Sequence, residues 1–383
     1  MSNISFKIIA IWIFVLLLKI PVYCQTEEEN LKSGINMIYH LKFDSAEIKF
    51  DEIIKNDRNN PAGYFFKAMI DWWKINLDKE NDSLDEKFLK DIEKSVEISD
   101  RKIDENERDD NALFYKGGAL GYRGLVMSLR ESWLKAAEDG REALNLLQKA
   151  HEINSKNKDV VFGVGLYNYF ADYIPETYPV VKPLMLIFPK GDKLKGLTQI
   201  KETASDAKYA RTEARFVLAY LYLIYEKNYA EAELYAKPLS DEYPENPVFE
   251  KYYCNSLIGQ GKLGDALTGW RNVLEKIDSN KYGYSSMRLN REANYYTALC
   301  LLKLGRIQES EPYILNAEEL TKIIDKENDD AYSAFIYLLM GMLNDSKGNK
   351  SSADFYYDKV LSMKNFQNSH QEAERFKKDG FRQ

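Results

Sequence analysis

Small and apolar residues recur along this chain at fixed separations. Within 245–276, Cys254 leads to Ala266, Trp270 and Val273 at offsets of 12, 16 and 19. The same 12, 16 and 19 offsets lead from Gly34 to Ala46, Phe50 and Ile53, from Tyr220 to Ala232, Ala236 and Leu239, from Ala298 to Ser310, Ile314 and Ala317, and from Gly341 to Ala353, Tyr357 and Val360. Spacing of this kind belongs to a helix–turn–helix unit of about 34 residues, whose first helix is small where the second crosses it closely. The small position marks eight predicted helix pairs, at Gly34, Ala68, Gly118, Gly165, Tyr220, Cys254, Ala298 and Gly341. The expected fold is therefore all-α, a right-handed superhelix (solenoid) of about eight antiparallel helix pairs.

Gly34 and Ala68 stand one such unit length apart, as do Tyr220 and Cys254, whereas the other steps are longer. The surplus falls in a charged extension (78–110), an enlarged region (120–140), an insertion (172–190) and loops at 278–291 and 318–330. In the first of these, Leu84, Phe88, Leu89, Ile92 and Val96 keep helical spacing beneath a charged face. The insertion is the unusual one. It carries four of the ten prolines, Pro175, Pro179, Pro183 and Pro189, among Tyr173, Ile174, Leu186, Phe188 and other apolar residues. Proline is expected to prevent a long regular helix here, and an apolar loop must either fold over the array as a lid or meet a partner or a membrane surface.

With Pro244 closing one unit and Gly259, Gly261 and Gly264 in the next turn, the small, aromatic and proline landmarks resemble those of tetratricopeptide repeat (TPR) proteins over nearly all of residues 27–367. Within 113–276, Gly121-Tyr-Arg-Gly, Gly165-Leu-Tyr-Asn-Tyr-Phe-Ala-Asp-Tyr-Ile-Pro and Arg211-Thr-Glu-Ala-Arg-Phe are similar to an exported bacterial type without assigned chemistry. The resemblance implies a concave face, lined by the first helices, that holds an extended ligand. Lys251 and Asn255 fall where the lysine and asparagine of the family's carboxylate clamp would stand. Tyr296, Phe335 and Leu339 replace the remaining clamp residues, so the clamp itself is not expected.

Residues 1–24 read as an address. Lys7 precedes an apolar run from Ile8 to Leu18, and the stretch ends at Val22-Tyr23-Cys24, which suits a signal peptide cleaved near Cys24–Gln25. A retained anchor and acylation at Cys24 are the alternatives. Residues 25–367 form the predicted repeat domain and 368–383 a polar tail able to cap the open end of a solenoid. Cys254 and Cys300 would then be the only cysteines left, and their positions in consecutive repeats favour two buried thiols over a bridge.

Charge narrows the choice of partner. Removing Lys7 and Lys19 from 53 basic residues leaves 51 against 60 acidic ones, which disfavours nucleic acid. His40, His151 and His370 lie in three separate repeats, no metal-ligand spacing is present, and Gly163 and Gly165 lack the strand and third glycine of a dinucleotide fingerprint. No catalytic residue, metal or cofactor is expected. The function read from the sequence is a non-enzymatic protein- or peptide-binding scaffold of the cell envelope. Its candidate contact residues are Tyr115, Tyr122, Phe162, Leu166, Tyr169, Phe170, Tyr173, Leu186, Phe188, Lys251 and Asn255. The alternative is an assembly factor that docks on a membrane protein or bilayer through residues 174–188.

Overall fold

A computed structural model describes residues 26–177, 182, 188–325 and 330–381. Among them are seventeen α-helices and no strand. Eight antiparallel pairs follow one another: α1 (Glu27–Tyr39) with α2 (Phe43–Asn56), α3 (Pro61–Leu77) with α4 (Asp85–Glu105), α5 (Asp110–Leu129) with α6 (Trp133–Ile153), α7 (Lys158–Thr177) with α8 (Lys193–Asp206), α9 (Arg211–Tyr220) with α10 (Tyr229–Glu242), α11 (Pro247–Gly259) with α12 (Leu263–Asp278), α13 (Met287–Lys303) with α14 (Ile307–Ile324), and α15 (Ala331–Ser346) with α16 (Lys350–Ser362). A single helix, α17 (Ser369–Asp379), ends the array. The all-α solenoid expected from the spacing is the fold found.

Local chemistry sets the helix starts. Thr26 and Glu29 form a reciprocal capping box at α1, and Asn60-Pro61 and Asn246-Pro247 place an amide cap before a proline whose missing N–H costs nothing in the first turn. Between the two helices of a pair, one residue turns left-handed: Gly261, Gly305 and Gly348 in three pairs, but Leu41, Glu131 and Lys227 in three others.

The fifteen residues at the 12, 16 and 19 offsets are all core, with a relative exposure of 3% or less. The small position explains why. A methyl group built on Gly34 would lie 2.5 Å from the Phe50 ring, and one on Gly341 would lie 2.2 Å from the Tyr357 ring. The side chain at the offset of 16 thus packs directly over the small one. Cys254 and Cys300 are buried free thiols, and burial pushes Cys300 up to about 12.

First helices touch first helices along the array, α1 on α3, α3 on α5, α5 on α7, α9 on α11 and α13 on α15, and form its inner layer. The curvature is tight enough that α3 also meets α11, four pairs away. In the insertion, α7 runs on through Pro175 to Thr177, so helix persists further than the proline argument implied; at the last turn proline forfeits a single backbone bond. At the far end α17 lays Ala373 and Phe376 on the last pair, with the Phe376 ring 6.0 Å from that of Tyr357.

Candidate functional site

The inner face divides into a filled part and an open part. In the filled part, Tyr39 of α1 and Trp73 of α3 meet Phe216 of α9, Tyr243, and Phe249 of α11. Ring centroids are 5.1 Å apart for Tyr39–Trp73, 5.2 Å for Trp73–Phe216, 5.3 Å for Trp73–Phe249 and 5.6 Å for Tyr39–Tyr243. A carboxylate lies among these rings. Tyr39 Oη and Trp73 Nε1 each donate to Glu213 Oε2 at 3.2 Å. Trp72 and Tyr122 also face Glu213, and burial pushes its carboxyl up to about 7. Polar contacts rim the plug: His40 Nδ1 lies 2.6 Å from Glu245 Oε1, Asn246 Nδ2 donates to the Tyr39 carbonyl, and Tyr243 Oη donates to Asn36.

This closure revises several expectations about the groove. Tyr115 is buried against Phe65 and Phe66, and Tyr122 packs on Trp72 and Phe65. Phe162 is core, while Leu166 and Phe170 are partly buried against the same core. Tyr169 is fully buried and donates to Glu226 Oε1 at 2.6 Å. Tyr115, Phe162 and Tyr169 are therefore covered in this structure, Tyr115 by Phe65 and Phe66 of the neighbouring pair and Tyr169 by Phe170, Tyr173 and Tyr225. Tyr173 stacks on Tyr169 at 5.7 Å and meets Tyr225 at 4.8 Å. Phe188 is half-buried; Leu186 lies outside the described residues.

The open part begins where the plug ends. Phe216, Tyr252 and Tyr220 form a stack, with 5.6 Å between the first two rings and 6.1 Å between the last two. A five-residue π-helical turn at 221–225 then carries Tyr225 back so that its hydroxyl lies 3.2 Å from that of Tyr220. Extra residues of this kind in a helix commonly re-aim side chains at functional positions. Further along, Tyr296 stacks on Trp270 at 5.0 Å, Tyr295 meets Tyr332 at 5.6 Å, and the Arg291 guanidinium lies 4.9 Å from the Tyr332 ring centre. Arg291 is itself held by Asp325 and Asp330, at 2.7 Å each.

Two lysines stand on this tyrosine surface. Lys251 Nζ lies 5.9 Å from the Tyr252 ring centre and pairs with Glu292 at 3.1 Å. Lys79, just past α3, lies 5.9 Å from the Tyr220 ring centre and has no carboxylate partner among the described residues. The side chain stays open to solvent while protein crowds it. Burial, and then the charge of Lys251, pull its ammonium down to about 8, with Glu292 and Glu80 opposing. Asn255 is half-buried one turn beyond Lys251, its Oδ1 buried without a hydrogen bond. Of the expected residues, Tyr173 and Lys251 belong to this surface. Lys79, Tyr220, Tyr225, Tyr296 and Tyr332 were missed, although the doublet Tyr295-Tyr296 on a first helix was a visible signal.

Elsewhere, a cavity of about 530 Å³ opens at the loop edge of pairs one to five. Its polar lining already serves the fold: Asn60 caps α3, Asp109 caps α5, and Asp159 accepts from the Tyr209 and Ala210 amides at 2.7 Å. Among the described residues, no group of three or more His, Cys, Asp or Glu is arranged to hold a metal ion, and no helix is long and apolar enough to cross a membrane.

No family model matches the sequence, and no curated protein matches it. Solved structures similar to it are tetratricopeptide proteins. Yeast Tom70 is 14% identical, with 98% of this chain and 85% of that one covered and a TM-score of 0.40. A thermophilic TPR protein of Thermus thermophilus is 17% identical over 61% of this chain and all of its own, with a TM-score of 0.37. A tetratricopeptide repeat protein of Parabacteroides merdae is 13% identical over 92% and 99%, with a TM-score of 0.29. The class of the molecule, an all-α array of antiparallel helix pairs, rests on its own helix packing.

Proposed function

We propose that this protein is a non-enzymatic scaffold that binds an extended protein segment on the tyrosine-lined inner face of pairs five to eight. Lys79 and Lys251 receive a ligand carboxylate, and Tyr220 and Tyr296 take the apolar side chains beside it. The observation that carries this reading is Lys79, a cation without a carboxylate partner among the described residues, crowded by protein and held over an aromatic ring. An unpaired ammonium can take a ligand carboxylate in a charge-assisted hydrogen bond. We place the scaffold in the cell envelope, on the strength of the basic and apolar pattern of residues 7–24.

Fluorescence anisotropy tests the site. One probe is a labelled octapeptide of leucines around a central glutamate; the other carries glutamine in its place. The glutamate peptide should bind more tightly, and Lys79→Ala should weaken it by roughly five- to tenfold, a typical value for one charge-assisted contact. Binding requires the protonated lysine, so affinity should fall as pH rises through about 8, and Lys79→Arg should hold affinity constant up to pH 9. Equal affinity for the two peptides, or no effect of Lys79→Ala, would reject the site.

A further inference from the structure

The filled half of the inner face contains a seam. On one side are pairs one and two; on the other are pairs five and six, which lie far later in the sequence. Among the described residues nothing covalent holds the seam shut. Its contacts are the Tyr39, Trp73, Phe216, Tyr243 and Phe249 rings, the His40–Glu245 pair at 2.6 Å, the Asn246 bond to the Tyr39 carbonyl, and Lys208–Glu28 at 2.6 Å near the start of α1. Beneath these contacts sits Glu213, which among the described residues is bonded by the neutral donors Tyr39 and Trp73.

We propose that this seam is a proton-sensitive latch: protonation of Glu213 holds the array closed, and its deprotonation lets pairs one and two swing away from pairs five and six. Opening would uncover the aromatic inner face of the first six pairs.

The groups around Glu213 set the direction. Glu213 is faced by Tyr39 from α1, Trp72 and Trp73 from α3, and Tyr122 from α5; on its own helix, Arg215 turns away and donates to the Ala204 carbonyl. Among the described residues no cation offsets its charge. Proton gain turns it into a neutral acid, which the dry interior accepts, whereas proton loss leaves a buried anion supported by two hydrogen bonds. The His40–Glu245 contact at 2.6 Å, with the Tyr243 ring edge-on to His40 at 4.8 Å, lies at the rim of the seam. The proton on Glu213 therefore favours the closed form. The Glu213 carboxyl lies near 7 when enclosed and near 4.5 when solvated. Closure is thus strongest below pH 4.5 and is lost as pH rises to 7, by at most about tenfold in the closed-to-open ratio per pH unit. Above 7 the closed-to-open ratio changes no further.

The test uses the full chain with spin labels on Lys32→Cys in α1 and Asp278→Cys at the end of α12, both exposed positions, and pulsed dipolar distances from pH 5 to 8.5. A long-distance population should grow with pH in the otherwise native protein. Glu213→Gln is neutral at every pH and retains an acceptor oxygen for Tyr39 and Trp73. It should stay closed throughout. A pH response of undiminished size in Glu213→Gln would overturn the latch, as would an invariant distance in the native background. Amide exchange of residues 38–43 and 243–249 in the unmodified chain provides a second reading that needs no variant. Protection there should fall between pH 5 and 7 after correction for intrinsic exchange, and constant protection would refute the proposal.

Discussion

Two helical glycines should respond oppositely to the same substitution. Gly34 lies in the middle of α1, and a methyl group there would sit 2.5 Å from Phe50 Cε1 and 2.6 Å from Phe50 Cζ. Phe50 has no room to retreat, being fully buried and stacked on Phe66 at 5.6 Å. Gly140 lies inside α6, and nothing stands within 4 Å of its added methyl. Alanine in place of glycine within a helix gains up to about 1 kcal/mol, while forcing a methyl into a packed core costs about 1–3 kcal/mol. Gly140→Ala should therefore stabilise by about 0.5–1 kcal/mol, and Gly34→Ala should destabilise by roughly 1–2 kcal/mol once the helical gain is deducted. Urea unfolding followed by circular dichroism reads both, as midpoints moving in opposite directions by roughly 0.3–0.5 M per kcal/mol. Trimming the obstructing ring closes the cycle: Gly34→Ala should be partly rescued by Phe50→Leu, so that the double variant is more stable than the sum of the two single effects allows. Midpoints that rise together, or a strictly additive double variant, would refute the idea that the offset of 16 records a direct contact.

Other outcomes follow from the same geometry. Tyr169→Ala should lower stability by about 3–5 kcal/mol, since it removes a fully buried ring together with its bond to Glu226; a loss of ligand binding at unchanged unfolding midpoint would return this residue to the binding surface. Glu131→Gly and Lys227→Gly should each stabilise by a few tenths to about 1 kcal/mol, because both residues hold a left-handed backbone, at φ of 57° and 53°, that glycine adopts freely. A fall in the unfolding midpoint of either variant would mean that its side chain contributes more than the strain costs.

The helix pairs were legible because their information is local. A small residue and the partner that packs over it belong to one helix–turn–helix unit, and each of the five matched sets is buried in the structure. The closure was not legible. Tyr39 and Tyr243 meet only because a small rotation between neighbouring units accumulates over the array, and no spacing within one unit records that sum. Periodicity also placed Tyr115, Phe162 and Tyr169 on first helices but could not tell an inward side chain facing solvent from one covered by its neighbours. Lys79 was hidden differently. It stands at the start of a charged stretch that resembles any solvated surface, and only the approach of Tyr220 and Lys251, from distant parts of the chain, makes it distinctive.

The seam also changes what kind of polymer this chain is. In an open array each unit gains stability only from its two neighbours, and unfolding can begin at either end and spread stepwise. Here a single apolar cluster runs from Leu31 to Tyr252, while a separate one spans Ala298 to Phe376. Contacts between Tyr39 and Tyr243 or Phe249 give the first six pairs the high contact order of a globular domain, and with it a slower, concerted assembly that waits for the loop between them to close. The last two pairs and α17 retain the nearest-neighbour behaviour of a solenoid. One continuous row of repeats therefore contains two folding regimes, a cooperative ring followed by a linear tail.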